Sequence, residues 1–138
     1  MKNNRRLRIL AVSQNDELAK RIRHLFPKEQ ARVDFDQRLD RVPERFETAY
    51  YDVLLVTGAA LRAGPNDGID LLETIRSGSP GTQILFLAES RDLRTAMSTL
   101  KAGTFQYIKL PTGDEELRMV IEAASRTGRS WRPWPGGV

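Results

Sequence analysis

Residues 51–57, Tyr-Asp-Val-Leu-Leu-Val-Thr, hold an apolar run with no alternating polar face. Such a run needs cover on both sides, which a strand inside a parallel sheet between helices receives. It therefore predicts a doubly wound α/β domain, and its carboxyl end points into the crevice where open sheets of this kind place their chemistry. The residue at that end is Thr57, not an acid.

The rest of the chain fits around this strand. Leu7 to Val12 reads as a first strand, followed by the breaker Ser13-Gln14-Asn15-Asp16, in which Asn15 or Asp16 can cap a helix. In that helix Leu18, Ala19, Ile22, Leu25 and Phe26 share a face, Lys20, Arg21 and Arg23 point away, and Pro27 marks the end. Arg32 to Phe35 alternates, which suits a strand nearer the sheet edge, and Pro43 opens a short helix with Phe46 and Ala49. Gly58 to Gly68 reads as a loop, with Asp67 capping a helix that turns Ile69, Leu72 and Ile75 inward. Ile84 to Ala88 is a second fully covered strand. Glu89-Ser90-Arg91-Asp92 opens a helix with Leu93, Ala96, Met97 and Leu100 as its inward stripe, ended by Gly103. Thr104 to Ile108 is the last strand, and Thr112-Gly113-Asp114-Glu115 has capping-box spacing ahead of Leu117, Val120, Ile121 and Ala124. Five strand signals alternating with five helical patterns give a doubly wound parallel sheet.

A chain of 138 residues suits one domain, here expected over residues 1–125, with a tail or linker start over 126–138 that carries Trp131 and Trp134. Those tryptophans are candidates to dock on their own domain, to contact a partner, or to begin a linker. The absence of cysteine removes disulfides, thiolate catalysis and cysteine-based zinc sites. The apolar stretch after the basic amino terminus is too short for a leader or membrane span, so a cytoplasmic protein with no membrane contact is expected. Net charge is +4, with the basic residues spread along the chain as ordinary solvated surface. His24 stands alone as the only histidine, and no dinucleotide fingerprint, phosphate loop or nucleophile elbow occurs. Neither an enzyme nor a cofactor is expected.

Several fragments recur in one frame: Tyr51-Asp52 before the central strand, Asp67-Gly68 opening a helix, Lys101-Ala102-Gly103 before the last strand, Tyr107-Ile108 inside it, and Pro111 after it. Together they make Arg8 to Ala124 resemble the receiver domain of two-component response regulators. The resemblance implies a flavodoxin-like fold, strand order 2-1-3-4-5, and a phosphoacceptor aspartate at the end of strand three. Its two magnesium-binding acids would fall on Ser13 and Gln14, its phosphoacceptor on Thr57, its switch hydroxyl on Leu87 and its phosphate-contacting lysine on Leu110. Tyr107 and Pro111 keep the family's residue types, and the loop after Thr57 is about three residues longer than the common pattern.

Magnesium prefers an octahedral oxygen shell anchored by carboxylates, and phosphoryl transfer needs charge neutralised on the transferred oxygens. Ser13, Gln14 and Thr57 supply neutral oxygens, and a threonine hydroxyl without a base is a poor nucleophile. Asp16 is better read as a helix-start acid, and Lys109 faces the opposite side of the strand from Leu110. The expectation is an atypical, non-phosphorylatable pseudo-receiver that works by contact with a protein partner, a second copy included. Receivers commonly signal through the face of helix four, strand five and helix five, here represented by Arg94, Thr95, Ser98, Lys101, Tyr107, Lys109, Glu115 and Arg118. Two other classes stay open: nucleic-acid association through a basic face or a missing output domain, and a small-ligand sensor using the altered cleft.

Overall fold

The run at the centre of the chain becomes β3 (Val53–Thr57), and its two parities of side chain enter two separate cores. Val53 and Leu55 join Ile9, Ala11, Leu85 and Leu87 on one face, while Leu54 and Val56 join Leu10, Val12, Ile84 and Phe86 on the other. This is the physical source of the missing polar alternation, and each fully buried leucine contributes roughly 1.5–3 kcal/mol. The structure is a computed structural model describing residues 6–64, 68–101, 104 and 106–130, the last three as backbone only.

The sheet has five parallel strands in the order β2-β1-β3-β4-β5. Besides β3 they are β1 (Leu7–Val12), β2 (Ala31–Asp36), β4 (Gln83–Ala88) and β5 (Gln106–Lys109). Helices α1 (Glu17–Leu25) and α6 (Asp114–Ser130) cover the first face through Ala19, Ile22, Leu117, Ile121 and Ala124. The other face is covered by α2 (Val42–Arg45), α3 (Gly58–Ala63), α4 (Ile69–Gly78) and α5 (Leu93–Lys101). The fold is thus the flavodoxin-like arrangement expected, with β2 at an edge. Among the described residues no helix is long and apolar enough to cross a membrane.

Local readings needed correction where side chains found partners far along the chain. The expected loop after Thr57 opens with a helix, α3, rather than irregular backbone. The inward stripe of α5 is not Leu93, Met97 and Leu100, which are 38%, 56% and 38% exposed, but Ala96 and Thr99, continuous with Asp92 just before the helix. A shift of one residue turns a helix face by about 100°, so small residues bring the helix close to the sheet while the larger apolar ones face outward. Arg21 does not point away from the protein: it donates to Asp114 Oδ1 at 2.7 Å and to the Thr112 carbonyl at 2.6 Å, tying α1 to the start of α6. Thr112 forms no capping box; its hydroxyl is buried without a hydrogen-bond partner. Asn15, not Asp16, accepts from a first-turn amide of α1, that of Glu17 at 3.0 Å. Finally, α6 runs to Ser130, so the first five residues of the expected tail are helical. Asp67, Gly103, Trp131 and Trp134 lie outside the described residues.

A polar network holds the β2 edge. Tyr51 donates to Asp34 at 2.6 Å, and Arg45 bonds Asp36 at 2.9 Å, the Tyr51 oxygen at 3.2 Å and the Phe35 carbonyl at 2.9 Å. Burial alone would raise the Asp34 carboxyl, but the Tyr51 hydroxyl and the Arg32 and Arg45 guanidiniums bring it below its ordinary value. Burial, then the Asp34 carboxylate, raises the Tyr51 hydroxyl. Asp34 therefore binds its proton more weakly folded than unfolded, so its stabilisation is complete above the ordinary carboxylate range and is lost as pH falls through the lowered value. Tyr51 holds its proton more tightly when folded, so its contribution is present below the ordinary tyrosine value and lost as pH rises through the raised one. Tyr51→Phe will cost about 1–3 kcal/mol in urea unfolding at neutral pH, since it leaves a largely buried carboxylate short of a donor. The same substitution will flatten both the acid and the alkaline loss of stability; an unchanged pH profile would remove this network from the account.

Candidate functional site

The carboxyl ends of β1, β3 and β4 define the crevice, and the residues there are neutral or already engaged. Ser13 is buried, and its hydroxyl donates to the Asn15 carbonyl at 2.5 Å, closing the turn into α1. Gln14 is exposed, and its carbonyl accepts from the Gln37 amide at 3.0 Å. Thr57 is half-buried, and its hydroxyl accepts from the Ala60 amide at 3.2 Å. It is the N-cap of α3, a common use of threonine at the start of a helix.

The two positions where a receiver's switch hydroxyl and lysine are expected extend the core instead. Leu87 is buried in the cluster that includes Leu55, Leu85, Ile108 and Leu117, and Leu110 packs partly buried against the same cluster. Lys109 is exposed, whereas Ile108 before it is buried and Leu110 after it is half-buried. The alternation of the strand therefore keeps the ammonium off the Leu110 side.

Sequence reasoning missed a pair of residues at this crevice. Asp92 is 2% exposed, accepts from the Glu89 amide at 3.0 Å, and is ion-paired with Arg62 of α3. It packs so closely over Gly58 that a Cβ added there would overlap its carboxylate. The only available signal was a glycine directly after the strand, with an arginine one helical turn further on. At the neighbouring end of β2, Asp36 is likewise buried and held by Arg45, with Arg41 at 3.9 Å. Asp16 is half-exposed and lies 3.6 Å from Lys20.

These residues do not fit the magnesium ion that the fold suggests. The hydroxyls of Ser13 and Thr57 are committed to backbone groups, and the two buried carboxylates described at this end of the sheet, Asp36 and Asp92, are matched by guanidiniums. Among the described residues no group of three or more His, Cys, Asp or Glu is placed to hold a metal.

The interaction-face residues divide. Arg94, Ser98 and Lys101 are exposed on α5, Thr95 is half-buried there, and Lys109 is exposed on β5. Tyr107 is half-buried and packs against the core cluster that includes Phe86, Ala88 and Ala96. Between the charged positions of α5 stand the exposed Leu93, Met97 and Leu100, an apolar ridge the sequence had assigned to the interior. Glu115 is exposed on α6. Arg118 sits 3.4 Å from Glu122, with its guanidinium 5.7 Å from the Phe26 ring centroid, which carries it toward α1 and away from α5.

The sequence model of the family described as response regulator receiver domain matches residues 9–122. The regulatory protein AtoC of Escherichia coli K12 is 28% identical over 79 residues, a stretch covering 57% of this chain and 16% of AtoC. NtrX from Brucella abortus superposes with a TM-score of 0.77 at 18% identity, over 91% of this chain and 28% of NtrX. The receiver domain of an HD domain-containing protein from Pseudomonas fluorescens Pf-5 gives a TM-score of 0.77 at 22% identity, over 92% of this chain and 100% of that one. The match thus spans less than a third of the length of AtoC or NtrX, and the whole of the receiver-domain chain from Pseudomonas fluorescens Pf-5.

Proposed function

The chain belongs to the response regulator receiver domain family, and on that premise we propose that it is a non-phosphorylatable receiver acting by protein–protein contact in a bacterial two-component or related regulatory system. Its place would be the cytoplasm, its partner another signalling or transcription component or a second copy. The observation that carries this reading is the coincidence of a crevice with no uncommitted carboxylate among the described residues and a ridge of Leu93, Met97 and Leu100 exposed on α5. A crevice that cannot hold a cation gives phosphate no means of shifting the conformation, because a ligand shifts an equilibrium only by its differential affinity. The ridge, rimmed by Arg94, Ser98 and Lys101, has the apolar centre and polar rim of a contact surface. Tyr107 of the neighbouring β5 is half-buried and packs against the core cluster that includes Ala96 of α5.

Met97→Glu tests the reading because it places a charge at the centre of the ridge without entering the core. Its unfolding free energy will stay within about 0.5 kcal/mol of the parent. Self-association by light scattering, or binding to a purified partner obtained with the parent protein, will weaken by about tenfold or more. If both are unmoved by Met97→Glu and by Leu100→Glu, the contact surface lies elsewhere.

A further inference from the structure

At the opposite side of the molecule, the amino-terminal part of β2 and the end of α1 enclose a groove of about 560 Å³. Its rim carries Arg6, Arg23, Lys28 and Arg32, four cations from three separate stretches of chain. One carboxylate, Asp34, shares the groove, and it is already engaged by Arg32 at 3.2 Å and by Tyr51 at 2.6 Å. Among the described residues Arg6, Arg23 and Lys28 have no acidic partner within ion-pair distance. Like charges gathered around one concavity repel, and an anion in that concavity relieves the repulsion. The volume lies in the range of small-ligand sites.

The backbone at this edge narrows the choice of anion. The carbonyls of Gln30 and Asp36 accept from the amides of Leu7 in β1 and Ser13 just after it, so the carbonyls of odd-numbered residues of β2 face outward. Two of these are occupied: Val33 by Arg23 and Phe35 by Arg45, each at 2.9 Å. An acidic peptide adding as a further strand would need those acceptors for its own amides. Nor, among the described residues, is there a long basic stripe here to follow a nucleic-acid backbone; their charge is gathered at one spot. Phe26, Ala31 and Val33, the apolar side chains lining the groove, are almost fully buried, so they offer little of their own surface to a hydrophobic ligand. Guanidinium forks match phosphate oxygens in pairs, and Arg23 is already oriented by its bond to Val33.

We propose that this groove is a binding site for a small ligand carrying two or more phosphate groups. The site is independent of the crevice at the carboxyl edge and of the α5 ridge, and it involves no transfer of the phosphate. The bound anion would bridge α1 to β2 and so stiffen one of the two open edges of the sheet.

The test is titration of the full chain with inorganic pyrophosphate in metal-free buffer at physiological salt, followed by amide chemical shifts. Saturable shifts confined to the neighbourhood of Arg23, Lys28 and Val33 are expected, with inorganic phosphate binding more weakly at the same amides. Lys28→Ala and Arg32→Ala together will lower the pyrophosphate affinity about tenfold or more. Lys20→Ala, which removes one positive charge from α1 outside the groove, will leave it within about twofold. Lys28→Ala alone, at an exposed position, serves as the second variant if the double substitution disturbs folding, and will itself weaken pyrophosphate binding. Absence of saturation, or equal weakening by Lys20→Ala, would overturn the assignment. So would tighter binding of duplex DNA or a polyglutamate peptide at the same amides.

Discussion

Thr57→Asp by itself will not produce a phosphorylated protein on incubation with acetyl phosphate and magnesium, as read by intact mass. Aspartate caps a helix about as well as threonine, so α3 will survive the change with a stability difference of roughly 1 kcal/mol or less. The missing elements are elsewhere: Ser13 and Gln14 offer no carboxylate to anchor the cation, and Leu110 offers no cationic head to the transferred oxygens. Ser13→Asp, Gln14→Asp, Leu87→Thr and Leu110→Lys added to Thr57→Asp will bring a magnesium-dependent phosphoryl adduct. That combination will also cost about 2–4 kcal/mol, because Leu87 is buried in the core and a shorter hydroxyl side chain leaves both a cavity and a buried polar group. A phosphoryl adduct on the parent protein, or on the single Thr57→Asp variant, would refute the proposal that this receiver is silent to phosphate.

Gly58→Ala will lower stability by about 3 kcal/mol, against the direction set by helix propensity. Alanine is favoured over glycine inside a helix by up to about 1 kcal/mol, so a site at the start of α3 with open space would gain from the change. Here the added carbon would overlap the Asp92 carboxylate, which is buried and ion-paired with Arg62. Displacing the buried carboxylate leaves its charge poorly compensated, and because Arg62 is itself 37% exposed the loss falls at the low end of the roughly 3–5 kcal/mol typical of a fully buried pair. Urea unfolding of Gly58→Ala, Asp92→Ala and the double variant separates the causes. With Asp92 gone the overlap is gone, so the two losses will fall well short of additive. Additive losses, or a stabilised Gly58→Ala, would mean that Asp92 does not occupy the space above Gly58.

Both expectations arise at one small region, and they explain why its chemistry was only half legible. That Thr57, Ser13 and Gln14 cannot anchor a divalent cation follows from their side chains alone, wherever they sit. That Leu87 is in the core and Leu110 packs against it is a statement about burial, and the alternation of β5 bore only on Leu110, through the opposite facing of Lys109. The Arg62–Asp92 pair was not legible, because the partners are far apart in sequence and an exposed reading of either is ordinary. Its discovery also explains α5: Asp92 can turn inward only with Arg62 to meet it, and this pulls Ala96 and Thr99 after it and turns Leu93, Met97 and Leu100 outward.

What the amino-acid order determined by itself was the layer plan. Unbroken apolar runs at β3 and β4 demand cover on both faces, and the helical stripes of α1, α4 and α6 supply it. The tertiary structure alone decided which way α5 turned, that α3 grew from an expected loop, and that Arg6, Arg23, Lys28 and Arg32 met around one groove. Periodicity reports only how a segment divides into faces. Which face goes inward, and which charges meet, depends on partners that the chain brings together from distant positions.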